Sequence, residues 1–228
     1  MPFRNHLSEE KHKKSGQKAS LIFFSVLIIA FFIYLLFSSS FNNKSESSLQ
    51  NGDIIFQTSQ SKQCTAVRIA TRSIYSHCGI IYIKKNKVFV YEAVGPVKMT
   101  PFSEWIQHGK DSKYVVKRLK NASTELTPEI FSKIKASGVK YKGKSYDIYF
   151  GWSDDKIYCS ELVWKLYKQG ANIEVGKLQK LKEFDLSSKE VKAILKERYG
   201  DDVPLDEIVI SPQSIFDSEL LVTVKDTY

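Results

Sequence analysis

Two short stretches gather side chains able to break an acyl bond. One is Ile157-Tyr158-Cys159-Ser160-Glu161-Leu162, which reads as the start of a helix from Tyr158 to Gln169. A thiol is a poor nucleophile until it ionises. The unpaired N–H groups of a helix N-terminus favour its thiolate. They can also receive the oxyanion formed when that thiolate attacks a carbonyl. The other stretch is Tyr75-Ser76-His77-Cys78-Gly79-Ile80-Ile81, followed by Tyr91-Glu92-Ala93. An imidazole at His77 can take the thiol proton and return it to a leaving group. Glu92 can accept the other ring N–H, fixing the tautomer and stabilising the imidazolium. Singly, each has a plainer reading: Cys159 as a small buried hydrophobe, His77 as a strand-edge histidine, Glu92 as a solvated strand charge.

These residues need elements to bring them together. Cys78 to Ile83 and Val88 to Ala93 are apolar β-type runs around the polar turn Lys84-Lys85-Asn86-Lys87. They read as a hairpin, which sets the strand of Glu92 beside the strand that begins at His77. A short strand is expected at Gly52 to Phe56, extended pieces at Val97 to Met99 and Tyr114 to Leu119, and a last strand at Leu220 to Val224. Helical spacing covers Cys64 to Thr71, with Ser61 as cap. Thr127 and Pro128 start a helix that should end near Ala136, ahead of Gly138. The Cys159 helix should stop at Gly170. A third helix runs from Ser187 or Ser188 to Tyr199 and stops at Gly200. Strands first, helices later and a strand at the end make an α+β class rather than alternating βαβ units.

The set of motifs resembles the YiiX-like permuted papain-fold enzymes of the NlpC/P60 superfamily. The matching pieces are Gly52 to Phe56, Ser76 to Ile80, Tyr91 to Ala93, Tyr158 to Leu162, and Ile210 to Ile215, in the family's order. The resemblance implies a circularly permuted papain-like fold with an antiparallel sheet packed with helices, in which the histidine strand precedes the cysteine helix. It implies Cys159 as nucleophile, His77 as general base and acid, and Glu92 as the orienting residue. Tyr158, Asp53 and Ser76 are candidates for substrate binding or the oxyanion environment. Cys78 stands where the family carries an aliphatic residue, and alternation along the strand assigns it to the core.

The chain has 228 residues and a formal charge of +9. Residues 1–44 hold six Lys and Arg against two Glu, and the remaining excess is spread out with no Arg-rich stripe. That argues against nucleic acid as a partner. Leu21 to Phe37 has no charge, Pro or Gly; with its flanking serines it spans roughly 30 Å, enough for a bilayer core. A cleaved leader normally has an apolar core of about 7–15 residues, so an uncleaved anchor is expected. Lys11, Lys13, Lys14 and Lys18 precede the span, which puts the N-terminus in the cytoplasm and the rest across the membrane. The expected organisation is a basic tail at 1–20, a transmembrane anchor at 21–38, a linker at 39–49 and an amidase domain at 50–228. No cofactor is expected and no Cys/His group has zinc spacing. Asp154-Asp155 lacks calcium-loop spacing and reads as a solvated turn. A Cys64–Cys78 disulfide is left open.

The function expected is a membrane-anchored cysteine hydrolase of amide bonds, first of all in cell-wall peptides. A lipid-directed acyl hydrolase or acyltransferase using the same site is the alternative, and a non-catalytic binding module the third reading. A long apolar groove would favour lipid, and an open polar cleft the wall peptide. Whether residues 177–209 form a lid or a packed extension is open.

Overall fold

Alternate side chains of the central strands enter two different cores. Ile54, Phe56, Ile80, Tyr82 and Tyr91 belong to one cluster, Ile55, Ile81 and Val90 to the other. A sheet buried on both faces needs cover on both sides, and the chain supplies it unequally. A computed structural model describes residues 48–228 together with Ile28, Ile29, Phe31 and Ile33. The basic tail, the expected anchor at 21–38 and most of the linker lie outside the described residues, as does the question of cleavage. Among the described residues no helix is long and apolar enough to cross a membrane. Leu49, assigned above to the linker, is buried in the second core.

Strands β1 (Ile54–Gln57), β2 (His77–Lys84), β3 (Lys87–Ala93), β4 (Val97–Pro101), β5 (Val115–Leu119) and β8 (Leu221–Asp226) form one sheet in the order β4-β3-β2-β1-β5-β8. Every pairing is antiparallel. The expected hairpin is β2–β3. On one face pack helices α4 (Pro128–Val139) and α5 (Cys159–Ala171); on the other, the short α2 (Phe102–Gln107) inserts Phe102 and Trp105. Helix α1 (Lys62–Thr71) precedes β2, and the short α3 (Ala122–Glu125) follows β5. After α5 come the two-residue strand β6 (Gln179–Lys180), α6 (Lys189–Tyr199), β7 (Ile208–Val209), paired with β6, and α7 (Pro212–Phe216).

The helix starts follow the capping chemistry. Ser61, Thr127 and Ser188 each accept a backbone N–H with the side chain, from Cys64, Ile130 and Val191. The helix ends differ from the expectation at two glycines. Helix α4 continues through Gly138 to Val139, and the Gly138 carbonyl accepts the Tyr91 hydroxyl at 2.7 Å. Helix α5 continues through Gly170 and ends at Asn172, which takes the left-handed conformation. A Cβ on Gly170 would lie 2.4 Å from Ile134 Cα. That glycine therefore lets α4 and α5 touch backbone to backbone rather than ending the helix.

Candidate active site

The site forms at the end of the sheet where β2 begins. His77 is the first residue of β2, opposite Gln57, and its ring lies 5.9 Å from that of Trp105, nearly parallel. His77 and Glu92 belong to the face that α2 covers. Between their strands sits Gly79, where a Cβ would come within 2.5 Å of Val90 and 3.4 Å of Glu92. A larger residue there would drive apart the hairpin that couples them. Cys159 comes from the other face, as the first residue of α5. The N-terminus of α5 is pinned to the segment before α7: Ser160 Oγ donates to the Ile210 carbonyl at 2.8 Å, and Ile210 N–H donates to Tyr158 Oη at 3.0 Å. Those contacts give the Ile210 to Ile215 motif a physical task, holding the nucleophile helix against the sheet end.

His77 Nε2 is 2.6 Å from Glu92 Oε2. The same carboxylate accepts Trp105 Nε1 at 2.8 Å and the Thr100 hydroxyl. Nδ1 is then the ring nitrogen left for Cys159, which lies within hydrogen-bond reach of the imidazole. Burial opposes protonation of His77, but the neighbouring Cys159 and Glu92 outweigh it and push its pKa up to about 10. The Cys159 thiol is held well below its usual range, first by a hydrogen bond from Cys78, against the opposing effect of burial, and then by His77. Burial and the adjacent Cys159 push the Cys78 thiol up, which keeps it a donor. Burial raises Glu92, yet His77, Thr100 and Trp105 bring it below the ordinary carboxylate range. The result is a buried thiolate–imidazolium pair with a carboxylate behind it.

Cys159 also opens onto a cavity of about 100 Å³ that is continuous with solvent. Its walls are almost wholly carbon, from α1 through Val67 and Ala70, from α6 through Val191, Ile194 and Leu195, and from Phe184 between them. The segment 177–209 is therefore a wall of the site. Tyr146 stands at the thiol, with its Oη 4.0 Å from Cys159 Sγ. Burial and the Cys159 charge raise the Tyr146 pKa well above its usual value, so its O–H stays on.

Comparison with known proteins gives the family. Residues 48–225 match the family model described as permuted papain-like amidase enzyme, YaeF/YiiX, C92 family. The chain belongs to that family. YiiX of Escherichia coli strain K12 is 52% identical over 175 residues, covering 77% of this chain and 85% of YiiX. A crystal structure of YiiX from Escherichia coli O157:H7, described as a metalloprotein, superposes with a TM-score of 0.76 at 50% identity, covering 79% of this chain and 99% of that one. As a permuted papain-like amidase, the chain is an enzyme of the cysteine amidase type.

The permuted papain-like frame brings Cys159, His77 and Glu92 together and separates the other candidates. Tyr158 and Ser76 line the cavity, but the Tyr158 hydroxyl is engaged by Ile210 and Ser76 Oγ accepts from Ser59 N–H at 2.9 Å. Asp53 sits four residues away from the His77 end of β1. Arg118 grips it through two hydrogen bonds of 2.7 and 2.8 Å, and Gln50 N–H donates to it. That is the bonding of a structural carboxylate, which holds the loop before β1. Cys78 is core, as alternation requires, yet it also touches the Cys159 sulfur. All three cysteines are free. Asp154 is not simply solvated: Lys140 and Lys165 pair with it at 2.9 and 2.8 Å. Sequence reading missed Tyr146, Gln63, Trp105 and Thr100; the first lies in irregular chain with no motif around it.

The ion pair makes a testable statement about pH. It is populated above the Cys159 pKa and below that of His77. Iodoacetamide should therefore label Cys159 with a midpoint well below the value near 8.5 of a free thiol. Amidase activity should fade on the alkaline side as His77 loses its proton near pH 10. A labelling curve for Cys159 with an ordinary midpoint would contradict the pair.

Proposed function

We propose that this chain hydrolyses amides of long-chain acyl groups, with the acyl chain in the apolar cavity and the carbonyl at Cys159. The observation that carries this reading is the cavity wall. Its lining is mostly carbon and offers a peptide backbone few partners, whereas an extended hydrocarbon would lose its water-exposed surface there. The sequence alone put cell-wall peptides first; the apolar wall favours the lipid-directed alternative.

In the reaction, the Cys159 thiolate attacks the carbonyl carbon and the C=O pair moves onto oxygen. The Cys159 backbone N–H and the Tyr146 hydroxyl would stabilise that oxyanion. His77 gives its proton to the leaving nitrogen as the C–N bond breaks, leaving an acyl-thioester. It then takes a proton from water, whose oxygen attacks the thioester, and keeps that proton as the thiolate departs, which restores the ion pair. Glu92 holds the ring and its charge throughout. The O157:H7 relative is called a metalloprotein, but a metal does not fit the residues of this site. Among the described residues no three His, Cys, Asp or Glu converge on a point, and His77 Nε2 is engaged by Glu92. No step is routed through one. The segment 21–38 would anchor the enzyme with its domain across the membrane, within reach of membrane-derived acyl groups.

Kinetics on acyl amides of increasing length test this. Each added CH2 should raise kcat/KM roughly three- to fourfold until the cavity is full, from about 0.8 kcal/mol per buried CH2. Val67→Phe should shorten the preferred chain. A flat length dependence alongside efficient cleavage of a peptidoglycan stem peptide would return the assignment to the cell wall.

A further inference from the structure

Among the described residues, Arg198 is the one cationic side chain in the wall of the cavity. It comes from the last turn of α6, and its guanidinium lies 5.3 Å from the centre of the Phe150 ring. Its Nη2–H donates to Gln63 Oε1 at 2.8 Å. Gln63 Nε2–H donates to Tyr146 Oη at 3.3 Å. The Tyr146 O–H then points at Cys159 Sγ, 4.0 Å away. The order of donors is fixed from the far end. Arginine only donates, so the Gln63 oxygen must face it and the Gln63 NH2 must face Tyr146. A tyrosine oxygen that accepts from Gln63 has its own proton free to aim at the thiol.

We propose that Arg198 and Gln63 are positioning residues that orient the Tyr146 hydroxyl as an oxyanion donor, so that α6, the wall of the acyl cavity, also sets the donor at the reacting carbon. This rests on the proposed role of Cys159 and the cavity. Reversing the order should disarm the tyrosine without emptying the cavity. Gln63→Glu keeps the shape and strengthens the contact with Arg198, but its carboxylate accepts the Tyr146 proton and turns it away from Cys159. Arg198→Met keeps the packing on Phe150 and frees the amide to flip.

The test uses two ligands on the intact protein. Dodecanal forms a thiohemiacetal: the Cys159 sulfur bonds to the aldehyde carbon, the C=O pair moves to oxygen, and His77 supplies its proton. Dodecanol fills the same cavity without that bond. Both variants should bind dodecanal about tenfold more weakly, a fraction of what direct loss of an oxyanion donor costs, while dodecanol binds as to wild type. The double variant should lose no more than either alone, and Arg198→Lys should recover part of the loss. Equal weakening of dodecanol and dodecanal, or full dodecanal affinity in Gln63→Glu, would overturn the relay. If dodecanol fails to bind wild type, the acyl cavity is wrong; butanal, too short to need it, then reads the relay by the same comparison. Absence of any aldehyde adduct on wild-type Cys159 would also overturn the relay.

Discussion

Cys159→Ala is expected to abolish amide hydrolysis, and His77→Ala to do nearly the same, while the two together cost no more than either alone. Nucleophile and base act as one unit, so removing either removes the step. In such pairs the loss in kcat reaches ~10^6-fold. The structure gives a reason to expect the full effect. The thiolate owes its low pKa to partners that are buried with it, Cys78 and His77. Cys64 is a half-buried residue of α1, and Cys78 is a fully buried donor. Cys159→Ser separates chemistry from shape: a hydroxyl of similar size lacks the acidity of the thiol and should also be inactive, with unchanged stability. Single-turnover assays on acyl amide decide the matter. Hydrolysis by Cys159→Ala at the wild-type rate would remove the thiol from the mechanism.

Glu92→Gln is expected to cost 10^2- to 10^4-fold in kcat/KM with the fold intact, on the scale set by replacing the orienting carboxylate of a hydrolase triad. Glu92 is 1% exposed and accepts from His77, Trp105 and Thr100 at once. The amide keeps the shape but cannot stabilise imidazolium. The His77 pKa should fall, the Cys159 pKa should rise with it, and the iodoacetamide labelling curve should move to higher pH. Glu92→Ala goes further, because it leaves three buried donors without an acceptor. That should cost about 3–5 kcal/mol of stability, measurable by urea denaturation. A Glu92→Gln protein with wild-type activity and an unmoved labelling curve would show that the carboxylate only packs.

Much of the site could be read from local chemistry. The thiol at a helix start, the histidine at a strand start and the glutamate on the partner strand are statements about neighbours in the chain, and short-range rules govern them. The caps at Ser61, Thr127 and Ser188 were readable for the same reason. What escaped depends on residues far apart. Gln63 meets Tyr146 across 83 positions, and Arg198 meets Gln63 across 135. No periodicity marks such pairs. The cavity escaped because α6 shows a polar sequence in which only Val191, Ile194 and Leu195 bring aliphatic surface to it. Gly138 and Gly170 misled because glycine is a common helix stop, while close approach of two helices asks for the same residue. Asp53 stayed open in the sequence because a carboxylate next to a strand motif looks the same whether it serves chemistry or an arginine.

The two halves of the site are anchored in different cores, His77 and Glu92 with Trp105 and α2, Cys159 with α4 and α5. The thiol is acidified from both, first by Cys78 on the strand face that meets the helices and then by His77 on the opposite face. The reactivity of this one sulfur is thus a gauge of how well the whole domain is assembled: any loosening that slides the helix layer off the strand layer should return Cys159 to the behaviour of a free cysteine. A thiol reagent applied below the midpoint of a free cysteine would report unfolding, or stabilisation by a bound acyl ligand, before any substrate is identified.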